Sequence, residues 1–486
     1  MRVAYHAGVL RALEEAGLRF SHVDGTSGGI INTAMVLSGL TPTEMCDRWR
    51  SLKVMEAVSP MPFNEYLKGQ NMMAMCDADG IVNKMFPHLG IDVSKINAAT
   101  GMTGTFNVCN FTRKTNEAIS HERVDLDLII AGMSLPIFMP AVRKGDVWYT
   151  DSVWLKDANL IEAVQRGAEE LWVLWIINNT PEYKTGFFNQ YVHMIEMSAN
   201  GSLIDEFERI SELNDRISKG ESPYGHTRPI KLHLIKPRHP LPLDPELFLN
   251  HITTAGLIDL GYADAKQYLR EASPEGLPLQ PETLMMSADT KPGVSFKETM
   301  TGGFSLGETD PRAGEKKGDA AGTKLSIHCD IDIHDVYRFI EDPNHATPII
   351  ARIDFPPLGM NIPTTNAIFN LFRPGEDPRT KYFVYEAAFE VGGESYYFAG
   401  KKRVHDDPGF DMWADITTLF SHLHKGTDAT GPVVGAGIIY IKREQLMNLI
   451  PTVRATNTSG PLETAKVIAD FGRFSLGEIW DSYGKF

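Results

Sequence analysis

The spacing of apolar positions changes character twice within the first forty residues. Val9, Leu10, Leu13 and Ala16 recur at helical spacing, with Arg11, Glu14 and Glu15 on the opposite side and Gly17 at the end. That pattern predicts a helix over 4–16. Residues 20–24 are short and partly apolar, as in a strand. Residues 30–38 are nearly all apolar and are followed by Gly39 and Pro42, which predicts a buried helix. Further on, 126–133 and 171–177 are uninterrupted apolar runs, as expected of parallel strands covered on both faces. A helix is predicted over 160–167 and a strand over 230–235. A loop spaced by Pro237, Pro240, Pro242 and Pro245 follows, and a helix over 254–270 closes the region. Phe187, Phe188, Tyr191, Val192, Met194 and Ile195 form an amphipathic stripe. It suits a core-facing helix better than a lipid-facing lid. Residues 204–217 carry many charges and predict a solvated helix.

The pattern shifts near residue 291. Residues 310–323 are rich in Gly, Ala and charge and predict a mobile loop. Short β-type runs follow at 324–333, 347–355, 381–389, 395–401 and 433–441, the spacing of an antiparallel sandwich or barrel. The chain therefore divides into an α/β domain over 1–280 and a mainly-β, sandwich-like domain over 285–486. Phe304-Ser305-Leu306-Gly307-Glu308 recurs as Phe474-Ser475-Leu476-Gly477-Glu478, either as matching strand ends or by chance.

Composition narrows the function classes. The chain has 486 residues, 43% hydrophobic and 22% charged, with a formal net charge of −15. This balance argues against nucleic-acid partners and against polybasic docking on anionic membranes. No apolar run is long enough to span a bilayer, and the first residues do not resemble a signal peptide. A cytoplasmic or peripheral-membrane location is expected. Cys46, Cys76, Cys109 and Cys329 lack metal-type spacing and read as reduced thiols. His328, Asp330, Asp332 and His334 alternate along one predicted strand. A solvent-facing strand explains that alternation better than a metal site. His405, Asp406 and Asp407 read as a turn.

The candidate chemistry lies in Gly25-Thr26-Ser27-Gly28-Gly29. These residues form a G-x-S-x-G pattern between a predicted strand and a predicted helix, the context of a nucleophile elbow. The helix N-terminus would turn amide N–H groups toward Ser27. The alternative is a glycine-rich turn with a capping serine. An elbow this early does not fit the α/β-hydrolase order, in which several strands come first. Asp151, at the end of the β-type run 147–151, is the candidate base. A carboxylate within hydrogen-bond reach can take a serine proton without a histidine relay.

Together these residues carry a resemblance. Residues 4–14 followed by the Ser27 motif resemble the start of patatin-like phospholipases. Residues 134–140 resemble that family's approach to its aspartate, and Tyr149-Thr150-Asp151-Ser152 resembles its Asp-Gly-Gly segment. The resemblance covers roughly the first 275 residues. It implies a three-layer α/β/α fold, a Ser27–Asp151 dyad, and hydrolysis of lipid acyl esters with no metal or organic cofactor. Gly25, Gly28, Gly29 and Arg2 are implied at the elbow and oxyanion site. The implied partner is a lipid or acyl-ester substrate, with transient contact at a membrane surface; oligomeric state is left open. Two departures stand out. Ser152 replaces a glycine, which requires its backbone angles to suit a side chain. The family's first strand and glycine-rich oxyanion loop do not precede Met1, so the reading frame is expected to begin further upstream. A non-catalytic lipid- or partner-binding protein of the same fold, or an acyltransferase, are the alternatives.

The second half resembles an accessory module found with cholesterol-oxidase-like flavoproteins and lipases. The resemblance rests on 296–300, 406–413 and 471–474. It implies a lipid-associated domain. No flavin site is implied, because Gly431, Gly435 and Gly437 have the wrong spacing for a dinucleotide loop.

Overall fold

The computed structural model describes residues 1–241, 253–288, 291–376, 380–405, 417–442 and, apart from 446 and 448, 445–483. The chain divides into two units, Met1–Ala288 and Asp289–Phe486. Pro242, Pro245 and residues 406–413 of the sequence reading lie outside the described residues.

In the first unit, helix α1 (Ala4–Glu15) leads to strand β1 (His22–Gly25) and helix α2 (Gly29–Leu37). Helix α2 buries Ile30, Ile31, Ala34, Met35 and Leu37, which accounts for its nearly continuous apolar sequence. The main sheet runs β1, β2 (Thr103–Asn110), β5 (Val147–Asp151), β4 (Val142–Lys144), with β3 (Thr115–Ser120) also paired to β2. β1 and β2 are parallel, whereas β2 pairs with β3 and β5 antiparallel. A separate parallel pair joins β6 (Glu170–Leu174) to β7 (Lys231–Ile235).

Two readings of this unit are corrected. The apolar run predicted as a strand is a helix, Leu126–Met133, started by Asp125, whose carboxylate accepts the Leu128 N–H at 3.0 Å. The stripe at 187–195 and the charged stretch at 204–217 belong to one helix, Phe187–Ser218. Its second half is not solvated all round, because Leu203, Phe207, Ile210, Leu213 and Ile217 form a buried seam. Its first turns are only partly core-facing, with Ile195 packed against the core. Tyr191 is buried, but Phe187 is 84% exposed and Met194 is also exposed.

The second unit is built from long antiparallel strands. β8 (Gly293–Leu306), β9 (Lys324–Ile333), β10 (Ala346–Phe355), β12 (Thr365–Pro374), β13 (Thr380–Val391), β14 (Glu394–His405), β15 (Thr418–Lys425) and β16 (Val433–Tyr440) pair in that order. Because β16 pairs back onto β8, the ring closes as a barrel. β11 (Gly359–Pro363) and β17 (Arg454–Thr456) add to β10 and β8. Alternation is clear on β9, where Leu325, Ile327, Cys329, Ile331 and Ile333 face the core. Among these apolar side chains sits a buried polar group. Lys402 donates to Glu298 at 3.1 Å, and the Tyr385 hydroxyl donates to the same carboxylate at 2.8 Å.

Two further corrections fall here. The predicted loop at 310–323 contains a helix, Pro311–Ala321. Asp310 caps its start through the Ala313 N–H, and Gly322, at φ +68°, ends it. The repeated pentapeptide does not mark two strand ends. Its first copy closes β8, and its second lies inside the helix Pro461–Tyr483. His328 bonds Asp354 at 3.0 Å and Thr299 at 3.1 Å, and Lys297 lies 3.4 Å from Asp330.

Candidate functional site

Strand pairing sets the distance between Ser27 and Asp151. On β2, Phe106 lies opposite Gly25 of β1, and Val108 lies opposite Asp151 of β5. The two registers fall two residues apart on a shared central strand. The chain leaving β1 therefore passes beside the last residue of β5, and the Ser27 Oγ donates to Asp151 Oδ2 at 2.7 Å.

The turn that presents Ser27 is tight. Ser27 has φ +52°, a conformation that costs a non-glycine residue about 1–3 kcal/mol. The first turn of α2 holds it there: Gly29, Ile30 and Ile31 donate to the carbonyls of Thr26, Ser27 and Gly28 at 2.8, 3.1 and 3.1 Å. A Cβ on Gly25 would lie 2.5 Å from Thr33 Oγ1, and one on Gly28 would lie 2.6 Å from Val3 Cγ1. Gly29 faces open space, so no close approach requires glycine there. No side chain caps α2, and Ser27 turns its hydroxyl to Asp151.

Asp151 is buried. Its Oδ1 accepts the Val153 N–H at 2.9 Å and its Oδ2 accepts the serine hydroxyl. Burial pushes its pKa up to about 7, against the pull of those two hydrogen bonds. Asp157 is raised to about 8, first by burial and then by the charge of Asp151, with Arg2 pulling the other way. Arg2 thus lies within electrostatic reach of the site, and its buried Nη1 has no hydrogen-bond partner among the described residues. Val3 ties the N-terminal turn to α2 by accepting from Asn32 Nδ2 at 2.8 Å. Ser152 is not among the residues of positive φ, so the position tolerates a side chain. Its hydroxyl donates to Asn116 Oδ1.

Sequence reasoning missed the polar network beneath the pair. Asn107, buried on β2, donates from Nδ2 to Asp24 Oδ1 at 2.6 Å. Its Oδ1 accepts from Asn116 at 3.1 Å and from Asn159 at 3.0 Å. Asp24 also accepts from Thr105, and its pKa is raised to about 7 by burial. One side chain therefore ties the strand before Ser27 to the segment after Asp151. The signal in the sequence was Thr105 and Asn107 alternating with Phe106 and Val108, a strand with one polar face turned inward. Glu206, buried in the helix Phe187–Ser218, bonds Lys156 and the Ile161 N–H and holds the same segment from the other side.

Among the described residues, no group of three or more His, Cys, Asp or Glu side chains is placed to hold a metal ion. No helix among them is long and apolar enough to cross a membrane.

Residues 1–164 match the family model described as patatin-like phospholipase, and the matched segment contains both Ser27 and Asp151. Among solved structures, VipD from Legionella pneumophila is similar at 12% identity, over 56% of this chain and 65% of that chain, with a TM-score of 0.31. The chain thus covers less than two thirds of that relative. No curated protein matches.

Proposed function

We propose that the patatin-like phospholipase domain of residues 1–164 hydrolyses lipid acyl esters, with Ser27 as nucleophile and Asp151 as its base. The observation that carries this reading is the 2.7 Å hydrogen bond from the strained serine to a buried carboxylate. Ser27 Oγ attacks the ester carbonyl carbon and its proton passes to Asp151. The negative charge on the carbonyl oxygen develops near the Gly28 N–H at the start of α2, where the helix dipole favours an anion. As the intermediate collapses, Asp151 returns the proton to the departing alcohol. A water molecule then attacks the acyl-enzyme and gives a proton to Asp151, which passes it to Ser27 Oγ as the acyl–oxygen bond breaks, freeing the fatty acid and restoring the serine hydroxyl and the carboxylate. The raised pKa of Asp151 suits both halves, because the carboxylate is more basic than one in water yet still ionises near neutral pH.

The test is hydrolysis of a soluble short-chain p-nitrophenyl ester and of phosphatidylcholine by the full chain and by Ser27→Ala. Turnover lost in Ser27→Ala supports the reading. Equal turnover in both overturns the role of Ser27, and none in either overturns the reading in favour of a lipid-binding protein.

A further inference from the structure

More than half of the exposed large apolar side chains among the described residues fall in three segments of the first unit, 55–75, 137 and 183–197. Phe187, Phe63 and Leu67 are 84%, 76% and 72% exposed, and Met73, Ile137 and Met194 are exposed as well. Such a concentration is uncommon on a monomer unless the surface binds something.

The three segments are joined to one another. Met75 and Cys76 donate to the carbonyls of Ile137 and Phe138, each at 2.9 Å. Tyr191 donates to the Pro136 carbonyl at 2.7 Å and packs edge-on against Phe138, with ring centroids 5.4 Å apart. The same 134–138 stretch is bonded to the Ser27 partner: the Asp151 N–H donates to the Ser134 carbonyl at 3.1 Å. The segments that carry these apolar side chains are therefore tethered to the framework of the candidate site.

Charge indicates what the surface fits. The chain carries −15 overall, yet residues 53–75 hold two lysines and two glutamates in pairs, Lys53 with Glu56 at 3.5 Å and Lys68 with Glu65. Residues 182–197 add only Glu182, Lys184 and Glu196 as fixed charges. A surface this apolar and nearly neutral, on an otherwise acidic protein, can approach phosphate-bearing headgroups without repulsion. It lacks the basic excess that docking on anionic lipid requires.

We propose that the surface formed by 55–75, 137 and 183–197 docks on a zwitterionic lipid bilayer by inserting its apolar side chains. The inference rests on the lipid hydrolase reading only for the choice of lipid as occupant. Burying several such side chains in the acyl boundary drives binding that salt does not weaken.

The experiment is co-sedimentation of full-length Ser27→Ala with phosphatidylcholine vesicles, so that turnover plays no part. It is compared with the same protein carrying Phe63→Ser, Leu67→Ser, Phe187→Ser and Met194→Ser. The proposal expects binding by the parent, unchanged between 0.1 and about 1 M salt, and at least tenfold weaker binding by the substituted protein. A separate Phe187→Trp variant should gain emission that brominated acyl chains quench, a readout independent of how the multiple variant folds. Vesicle binding that survives all four substitutions overturns the proposal. So does binding that requires anionic lipid, or a dimer that the same substitutions dissolve. Soluble-ester turnover separates the two readings. If it persists while vesicle binding is absent, only the docking proposal fails. If it is absent while vesicle binding holds, only the hydrolase reading fails.

Discussion

Replacing Asn107 with leucine removes the tie between the strand before Ser27 and the segment after Asp151. Leucine keeps the branched outline of asparagine and leaves no cavity, so the cost arises chiefly from polar groups left unpaired. Asp24 loses a donor at 2.6 Å, and Asn116 and Asn159 lose an acceptor at 3.1 and 3.0 Å. Each unmet buried group costs about 1–3 kcal/mol. Asp24 keeps its bond from Thr105, and Asn116 is only partly buried, so the sum is set near the low end, about 3 kcal/mol. That is roughly a hundredfold in the unfolding equilibrium. Urea unfolding followed by tryptophan fluorescence measures it, because Trp49, Trp148, Trp154, Trp172 and Trp175 all report on the first unit. In native buffer, where Asn107→Leu stays folded, a fluorophosphonate should label Ser27 about tenfold more slowly, since Asp151 is less well held. A variant within about 0.5 kcal/mol of the parent and labelled at the same rate would refute the network as an organising element.

Three further outcomes follow from the buried charges. Asp151 must be ionised to accept the serine proton, and its pKa is raised to about 7, so kcat/KM should rise with pH and level off above that value; a flat profile from pH 5 to 8 would count against the assignment. Asp24, Asp151 and Asp264 are raised to about 7 and Asp157 to about 8, so the folded state holds protons that the unfolded chain has released. The stability these groups contribute is complete below the unfolded carboxylate range and is lost as pH rises through 7 to 8. His6 and His22, lowered to about 4, work in the opposite direction, but their effect is complete by the unfolded histidine value near 6.5. The urea midpoint of the first unit should therefore fall between pH 6.5 and 8.5, and a rise would contradict the burial of these carboxyls. In the barrel, Glu298→Ala leaves Lys402 buried without its carboxylate and should cost about 3–5 kcal/mol. The double change Glu298→Leu with Lys402→Met should recover most of that loss in thermal unfolding.

The elbow was legible because it is local. Gly25 and Gly28 are required by contacts within the turn or with the adjacent N-terminal segment, and α2 follows directly. Asp151 is a non-local matter. Its place depends on β5 pairing with β2 at Val108, which no spacing in the sequence encodes; the end of a β-type run made it a candidate, and the family resemblance set it apart from other turn carboxylates. The misread run Leu126–Met133 shows the limit of periodicity, since eight apolar residues suit a buried strand or a buried helix equally. Asp125 was the deciding cap. Asp310-Pro311 with Gly322 was the same kind of signal at 310–323, overridden there by composition. In 204–217 the frequent charges mask the repeat of Phe207, Ile210, Leu213 and Ile217 at the spacing of a core seam. Closure of the barrel rests on β16 meeting β8, a contact between strands more than a hundred residues apart.

The central claim is that Asp151 activates Ser27. Fluorophosphonate labelling, with the modified residue located by mass spectrometry, tests it on the full chain, on Ser27→Ala and on Asp151→Asn. The account predicts label on Ser27 in the full chain, none at that position in Ser27→Ala, and labelling slowed by about a hundredfold in a folded Asp151→Asn. An unlabelled Ser27 in the full chain, or an Asp151→Asn variant that labels as fast as its parent, would contradict it.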